Sequence, residues 1–327
     1  MIMKWISRLF GSAPAAGSAQ PAAASQPVQA SHQAPTQFAM PPSEIDAMFY
    51  RWVTGAGEQD TATGTGKLVL DELGRLVESP SSGASLVPRV PAVIPQLLRS
   101  LRDDSVTSAD LARQLSQDVV LVAEVIREVN SPLYRPTVPV RNLEGAVMLL
   151  GENGLRMLLA RVSFRPIISM QSGHYARMVA PQVWSQAEKC ALAASLLSTR
   201  TCASPFEAYL AGLMQNVGLI VAFRLIDQLS PDQGLPYSYD FCTHLFSDAR
   251  ALSSRIAVLW DFPASVAAAI EQSGQPGASG LAQALAYGDQ VAKLRMMVDA
   301  GRLDPAVADA MGPAARDVFD KIKNEDD

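Results

Sequence analysis

The chain has 327 residues, of which 48% are hydrophobic and 18% are charged, and its 27 basic and 32 acidic side chains give a net charge of −5. This length and composition allow a substantial buried core in one large or two modest domains. Because lysine and arginine form no run anywhere, the chain lacks the clustered positive charge of a nucleic-acid-binding protein, and we expect no nucleic-acid partner.

Cysteine and histidine are too sparse for most metal centres. Cys190, Cys202 and Cys242 form no Cys-x-x-Cys motif, and isolated thiols of this kind are typical of a reducing compartment. One of the three histidines, His32, lies in a low-complexity tract, so a histidine-rich metal centre is excluded by number alone. We therefore expect a cytoplasmic protein without a metal or another cofactor.

Residues 1–42 precede the first strongly periodic sequence. Near the N-terminus, apolar residues lie at helical spacing with two basic side chains between them. The apolar residues are Ile2, Met3, Ile6, Leu9 and Phe10. This pattern predicts a short amphipathic helix in residues 1–10, either a weak membrane-surface contact or, as we favour, a frayed terminus. Residues 12–42 are rich in Ala, Pro, Gln and Ser and predict a disordered linker.

Residues 43–85 predict peripheral helices. Apolar residues at helical spacing predict the first of them, around Ile45, Met48, Phe49 and Trp52. A glycine-containing loop over residues 55–66 separates it from a second short helix, which we expect at Lys67–Val77.

Residues 86–201 predict a series of helices. Asn142 is a favourable N-cap and Gly151 a favourable terminator, so we expect a helix between them and another over residues 155–162. Pro181–Thr201 predicts the longest helix, with His174 in the loop before it. Since no alternating apolar pattern flanks an Asn-Gly or Asp-Gly turn, the predicted fold class is all-α.

The most apolar stretch of the chain is residues 204–223. Ser204 is a good N-cap, with Pro205 at the first helical position and Glu207 three residues after the cap, so a helix is expected to begin here. Gln215 and Asn216 interrupt the apolar run, which therefore predicts a buried core helix rather than a membrane span. Buried amides require hydrogen-bond partners, and this makes the pair a candidate site.

Five short segments identify a family when they are taken together. They are the proline-rich residues 86–99, Asn130-Ser131-Pro132-Leu133-Tyr134, Ala146-Val147-Met148-Leu149-Leu150-Gly151, Ala208-Tyr209-Leu210-Ala211-Gly212-Leu213 and Trp260-Asp261-Phe262-Pro263. Their order and separations resemble the HDOD domain, an all-helical bacterial relative of the HD phosphohydrolases. The resemblance covers about residues 86–273 and implies a compact HD-like bundle, on which residues 274–327 pack as a C-terminal helical extension.

The resemblance also implies that most of the metal-binding residues of the HD enzymes have been replaced in this chain. In active HD enzymes a His, an adjacent His-Asp pair and a later Asp bind divalent metal, which activates water for phosphoester hydrolysis. These positions correspond here to Gln186, the pair Gln215 and Asn216, and Asp289. Amides are poor ligands for such ions, so we expect no metal-binding residue, no catalytic residue and no enzyme activity.

Further histidines that many relatives carry correspond to Ala249, Ser273 and Gly274. The absence of these histidines also favours a protein that binds no catalytic metal.

Three functions follow from the resemblance. The leading one is a non-catalytic signal-transduction output or adaptor domain that contacts signalling proteins, with a homodimer also open. The second is a nucleotide-responsive sensor that binds a ligand in the vestigial pocket of Gln186, Gln215, Asn216 and Asp289. The third is residual metal-dependent phosphohydrolase activity. For these four residues themselves, we favour an amide network that fills an old polar cavity over a ligand site.

Overall fold

The structure is a computed structural model that describes residues 38, 40–57, 63–80, 86–88, 107, 110, 113, 119–131, 136–229 and 234–323. The predicted N-terminal amphipathic helix and most of the proline-rich segment lie outside these residues. Within them the regular elements are helices and no β-strand is formed, so the all-α prediction is confirmed.

The helices are α1 (Pro42–Thr54), α2 (Thr63–Glu78), α3 (Val119–Val129), α4 (Leu143–Ser169), α5 (His174–Ser198), α6 (Pro205–Met214), α7 (Val217–Leu229), α8 (Tyr239–Leu259), α9 (Ala264–Gln272), α10 (Gly280–Asp299), a 3-10 helix (Pro305–Ala310) and α11 (Pro313–Lys321).

The first two helices contribute to the principal core. Helix α1 packs against α5, α8 and α10, and α2 packs against α7 and α8. Both bury large apolar side chains completely, among them Ile45, Phe49, Tyr50, Val69 and Leu73. Residues from the beginning and the end of the chain therefore share one core with the helices between them.

Helix α4 contains the break that its sequence predicts. Asn142 Oδ1 accepts a hydrogen bond from Gly145 N at 2.9 Å, as an N-cap does. Gly151 then has φ of 68° and ψ of 178°, outside the helical region, so two helical segments meet at this residue. Glycine adopts a positive φ without a steric penalty, which explains why the chain bends here.

Helix α5 begins earlier than Pro181, at His174. The expectation that His174 lies in a loop is therefore wrong. The reason is a cap from another helix: Asp227 accepts hydrogen bonds from Tyr175 N (2.8 Å) and Ala176 N (3.0 Å). A carboxylate at a helix N-terminus stabilises both the free N–H groups and the helix dipole.

The apolar stretch forms two helices rather than one. Ser204 caps α6 as predicted, because its Oγ accepts from Glu207 N. The expectation of a single helix to Phe223 is wrong, since α6 ends at Met214 and α7 starts at Val217. Among the described helices, the combined segment 205–229 has the length and composition of a membrane span, but 94% of its most apolar window is buried inside the protein.

Helix α8 stabilises the break between α6 and α7. Gly218 N donates to Ser253 Oγ at 2.8 Å, and Ser253 Oγ lies 2.6 Å from Gln215 O. A Cβ atom on Gly218 would lie 2.1 Å from Ala249 O, so only glycine permits this approach of α7 to α8. The hydroxyl of Ser253 thus connects the end of α6 to the start of α7, which Gln215 and Asn216 separate.

The last helices pack against earlier helices of the bundle. Helix α10 lies against α5, α6 and α9, and α11 lies against α5 and α10. A Cβ on Gly288 would lie 2.7 Å from Ala194 N, which shows how closely α10 approaches α5. This contact places the middle of α10 against the last turns of α5, and α10 also contacts α6, which ends at the break before α7.

Candidate functional site

Three parts of the fold bring the four predicted site residues together. Gln186 lies on α5, Gln215 and Asn216 lie at the α6–α7 break, and Asp289 lies on α10. All four residues are buried, with relative exposures of 0%, 2%, 5% and 7% in that order. We refer to the four residues as the amide pocket.

A continuous hydrogen-bonded chain connects the amide pocket. Asn216 Nδ2 donates to Gln186 Oε1. Gln186 Nε2 donates to Asp289 Oδ1 at 2.5 Å, and Gln215 Nε2 donates to the same oxygen at 3.0 Å. The amides therefore use their donors on one another and on the single carboxylate, as buried polar groups must.

Lys293 belongs to this site, although the sequence patterns above did not predict it. It lies one helical turn after Asp289 and is 1% exposed. Its ammonium donates to Asp289 Oδ2 at 2.7 Å and to Asp46 Oδ1 at 2.5 Å. The rings of Phe246 and Phe49 lie 4.6 and 5.7 Å from the nitrogen. The ammonium is thus held between two carboxylates and two aromatic rings.

Asp46 brings the N-terminal helix into the site. Its second oxygen, Oδ2, accepts from Arg250 Nη1 at 3.3 Å, so two carboxylates face two cations. Burial by itself raises the pKa of Asp46, but Lys293 and Arg250 outweigh burial and the pKa lies below its usual value. Burial lowers the pKa of Lys293, but Asp289 and Asp46 outweigh it and the pKa is raised. The electrostatics therefore favour the charged forms of Asp46 and Lys293.

Cys190 completes the wall of the amide pocket on α5. Its Sγ accepts a hydrogen bond from Gln215 Nε2 at 2.9 Å. Burial, and then the negative charge of Asp289, raise the pKa of this thiol well above its usual value. A protonated, buried thiol is a poor nucleophile, so Cys190 acts as a packing and accepting group.

A divalent metal does not fit these residues. Both oxygens of Asp289 already accept hydrogen bonds, and an ammonium separates Asp289 from the other carboxylate. In the part of the chain that the structure describes, no group of three or more His, Cys, Asp or Glu side chains is placed to hold a metal ion. The donor set is that of an internal ion-pair network rather than of a metal centre.

The sequence contains a signal for each missed residue. Lys293 stands four residues after Asp289, which is the spacing of an ion pair on one helix. Asp46 precedes Phe49, Tyr50 and Val53 by three, four and seven residues, so a carboxylate occupies an otherwise apolar helix face. Only the fold shows that the two helices meet.

The other positions that the resemblance singled out lie apart from the hydrogen-bonded chain. Ala249 is buried on α8, where its carbonyl faces Gly218. Ser273 and Gly274 lie in the turn that follows α9. None of the three contributes a side-chain polar contact to the amide pocket in the described structure.

Comparison with known proteins identifies the domain. The HDOD domain model matches residues 87–276. An uncharacterized protein from Treponema pallidum (strain Nichols) is 28% identical over 137 residues, which are 41% of this chain and 26% of that protein. The aligned part thus spans about a quarter of the length of that relative.

Solved structures share the fold at low sequence identity. An HDOD domain protein of unknown function from Geobacter sulfurreducens has a TM-score of 0.57 and 22% identity, and the match covers 77% of this chain and 89% of that one. A protein from Shewanella amazonensis named as a metal-dependent phosphohydrolase has a TM-score of 0.54 and 18% identity, with 80% and 98% covered. A protein from Marinobacter aquaeolei named for signal transduction has a TM-score of 0.53 and 19% identity, with 88% and 64% covered.

Proposed function

Because the chain belongs to the HDOD domain family, we propose that it is a signal-transduction domain that acts through contacts with other proteins and not through catalysis. The family match supports a signalling role, as does the fold shared with the Marinobacter protein named for signal transduction. The location that goes with this role is the cytoplasm.

The observation that carries the non-catalytic part of the proposal is the closed hydrogen bonding of the amide pocket. By the resemblance, Gln186, Gln215 and Asn216 correspond to imidazole and carboxylate ligands of an active HD enzyme. Here Asn216 donates to the Gln186 carbonyl oxygen, and Gln186 and Gln215 donate to Asp289. An amide cannot replace a carboxylate or imidazole as a strong ligand. Without a metal-bound water, the hydrolytic mechanism lacks its nucleophile.

The same closure argues against the ligand-sensor alternative. A ligand pocket needs polar groups that converge on open space. Here the four side chains are almost fully buried and converge on one another. Lys293 donates a further hydrogen bond to Asp289, and Cys190 accepts one from Gln215. A nucleotide would have to break this network before it gained any contact.

The non-catalytic proposal is tested by a hydrolysis assay. The purified full chain is incubated with Mn²⁺ or Mg²⁺ and with a phosphodiester panel that includes bis(p-nitrophenyl) phosphate and cyclic dinucleotides. We expect turnover equal to that of buffer alone. Metal-dependent turnover that disappears in a folded Asp289→Asn variant would contradict the proposal.

Signalling through protein contacts is tested by capture of partners from the host. The full chain and a form without residues 12–42 are cross-linked and recovered in parallel. We expect a defined protein to be enriched over an unrelated bait of similar size and charge. If neither form enriches any protein, the protein-contact part of the proposal fails, whatever the outcome of the hydrolysis assay.

A further inference from the structure

The charge balance of the site differs from that of a catalytic metal pocket. A catalytic metal pocket gathers negative charge that only the bound cation neutralises. In this protein the carboxylates of Asp46 and Asp289 already share one ammonium, that of Lys293, and Arg250 pairs with the remaining oxygen of Asp46. Two negative and two positive groups therefore leave the pocket neutral without any bound ion.

Two carboxylates and two aromatic rings hold the position of the ammonium. Lys293 donates to one oxygen of each carboxylate, at 2.5 and 2.7 Å. The faces of Phe246 and Phe49 flank it within cation–π distance, 4.6 and 5.7 Å. An almost fully buried lysine is rare unless its charge is paired, and here it is paired twice.

The three residues of this contact come from outside the segment that defines the family. Asp46 lies on α1, and Asp289 and Lys293 lie on α10, whereas the family model spans residues 87–276. The family segment contributes the amides and Arg250. The helices that flank the domain thus supply both the cation and the carboxylates.

We infer that the Lys293 ammonium has taken over the charge-neutralising place of the metal, so that the pocket is a cation site permanently filled by the chain itself. The lysine on α10 binds Asp46 on α1 and so joins these two helices, as a structural ion would. This inference goes beyond the proposed function, because it concerns what holds the pocket together and would stand even if the domain had no protein partner.

A rescue experiment tests the inference directly. Lys293→Ala removes the ammonium and leaves two carboxylates around a cavity. We expect the midpoint of thermal unfolding, Tm, to fall in this variant and to recover by about 5 °C or more when millimolar Mn²⁺ or methylammonium is added, because a ligand that binds only the folded state stabilises it. The Tm of the unchanged protein should not respond to either cation.

The matched control is Lys321→Ala. Lys321 also pairs with an aspartate four residues away, Asp317, but this pair lies on the exposed face of α11. We expect neither cation to raise the Tm of the Lys321→Ala variant. If Lys293→Ala does not fold in buffer, refolding with and without each cation replaces the Tm measurement, and recovery only with a cation counts as rescue.

The outcomes separate clearly. Rescue by either cation supports the inference, and rescue by methylammonium alone shows that the pocket is now shaped for an ammonium rather than for a metal. No rescue by either cation would overturn it, as would an equal response of the Lys321→Ala control. Neither result bears on the capture experiment, so the inference and the protein-contact proposal fail independently.

Discussion

At the level of single residues, Lys293, Asp46 and Asp289 behave as one unit because each is buried and the Lys293 ammonium donates to both carboxylates. Removing one member of a buried ion pair strands the remaining charge and costs about 3–5 kcal/mol of folding free energy. Replacing the members by neutral groups of similar size costs much less, because the desolvation penalty disappears with the charges.

The mutual dependence of these charges predicts a strongly non-additive pair of variants. We expect Lys293→Met alone to lower the free energy of unfolding by about 3–5 kcal/mol. Adding Asp46→Asn should restore part of the loss, because the double variant no longer buries an aspartate that has lost its ammonium partner. Urea unfolding of both single variants and the double variant measures the coupling. Additive losses would show that the residues act separately.

The same residues predict a pH dependence of stability. Burial raises the pKa of Asp46, but Lys293 and Arg250 bring it below its usual value of 3.8. A depressed carboxyl pKa stabilises the fold above the unfolded-state pKa, and this contribution is lost as pH falls through the folded-state value. The raised pKa of Lys293 works in the opposite direction: its contribution is present at neutral pH and is lost at pH above the usual value of 10.5.

We therefore expect the free energy of unfolding to decrease as pH falls below about 4. The decrease should be smaller in the Lys293→Met and Asp46→Asn double variant, which lacks the titrating carboxyl and its partner. Denaturant unfolding across this pH range provides the comparison. If the free energy of unfolding fell equally with decreasing pH in the unchanged protein and the double variant, Asp46 would not titrate with a depressed pKa.

At the level of helices, ends that are set by local residues could be predicted and ends that are set by distant ones could not. Ser204, Asn142 and Gly151 act through their own backbone neighbourhood, and each marks the helix end that its sequence context predicts. The start of α5 depends on Asp227, and the break after α6 depends on Ser253. No local pattern reveals which helix will supply these partners.

The close contact between α7 and α8 gives a prediction at this scale. Gly218→Ala places a methyl group where Ala249 O lies 2.1 Å from the ideal Cβ position. We expect a loss of about 1–3 kcal/mol in the free energy of unfolding, because the helices must move apart and overpacking of a core has this cost. Urea unfolding measures the loss.

Gly74→Ala is the matched control. Gly74 lies inside α2, and a Cβ there meets nothing within 4 Å. Because alanine is the better helix former by roughly 0.5–1 kcal/mol, this variant should be slightly more stable than the unchanged protein. If both variants changed stability by the same amount, the close approach at Gly218 would not be the cause.

At the level of the whole molecule, the family resemblance predicted some residues of the site and not others. The resemblance located Gln186, Gln215, Asn216 and Asp289, and the fold brings all four together. It did not locate Asp46, which lies on α1 and 247 positions before Lys293 in the chain, because no motif of the resemblance includes that helix. The contact between Asp46 and Lys293 exists only when both ends of the chain pack into one core.

The shared core predicts that the family segment does not fold alone. A fragment of residues 87–276 lacks α1 and α10, and with them fully buried side chains such as Phe49, Tyr50, Leu285 and Val291. We expect this fragment to show no cooperative thermal transition, whereas residues 38–323 should unfold cooperatively. Calorimetry distinguishes the two. A cooperative transition of the short fragment would show that the flanking helices are accessory.

Replacement of the metal by the Lys293 ammonium is tested most directly by a crystal structure of the full chain, grown or soaked with Mn²⁺ and recorded at the manganese absorption edge. We expect no anomalous peak at the amide pocket and clear density for the ammonium between Asp46 and Asp289. A manganese peak bound by Asp289, with Lys293 displaced from the pocket, would contradict this expectation.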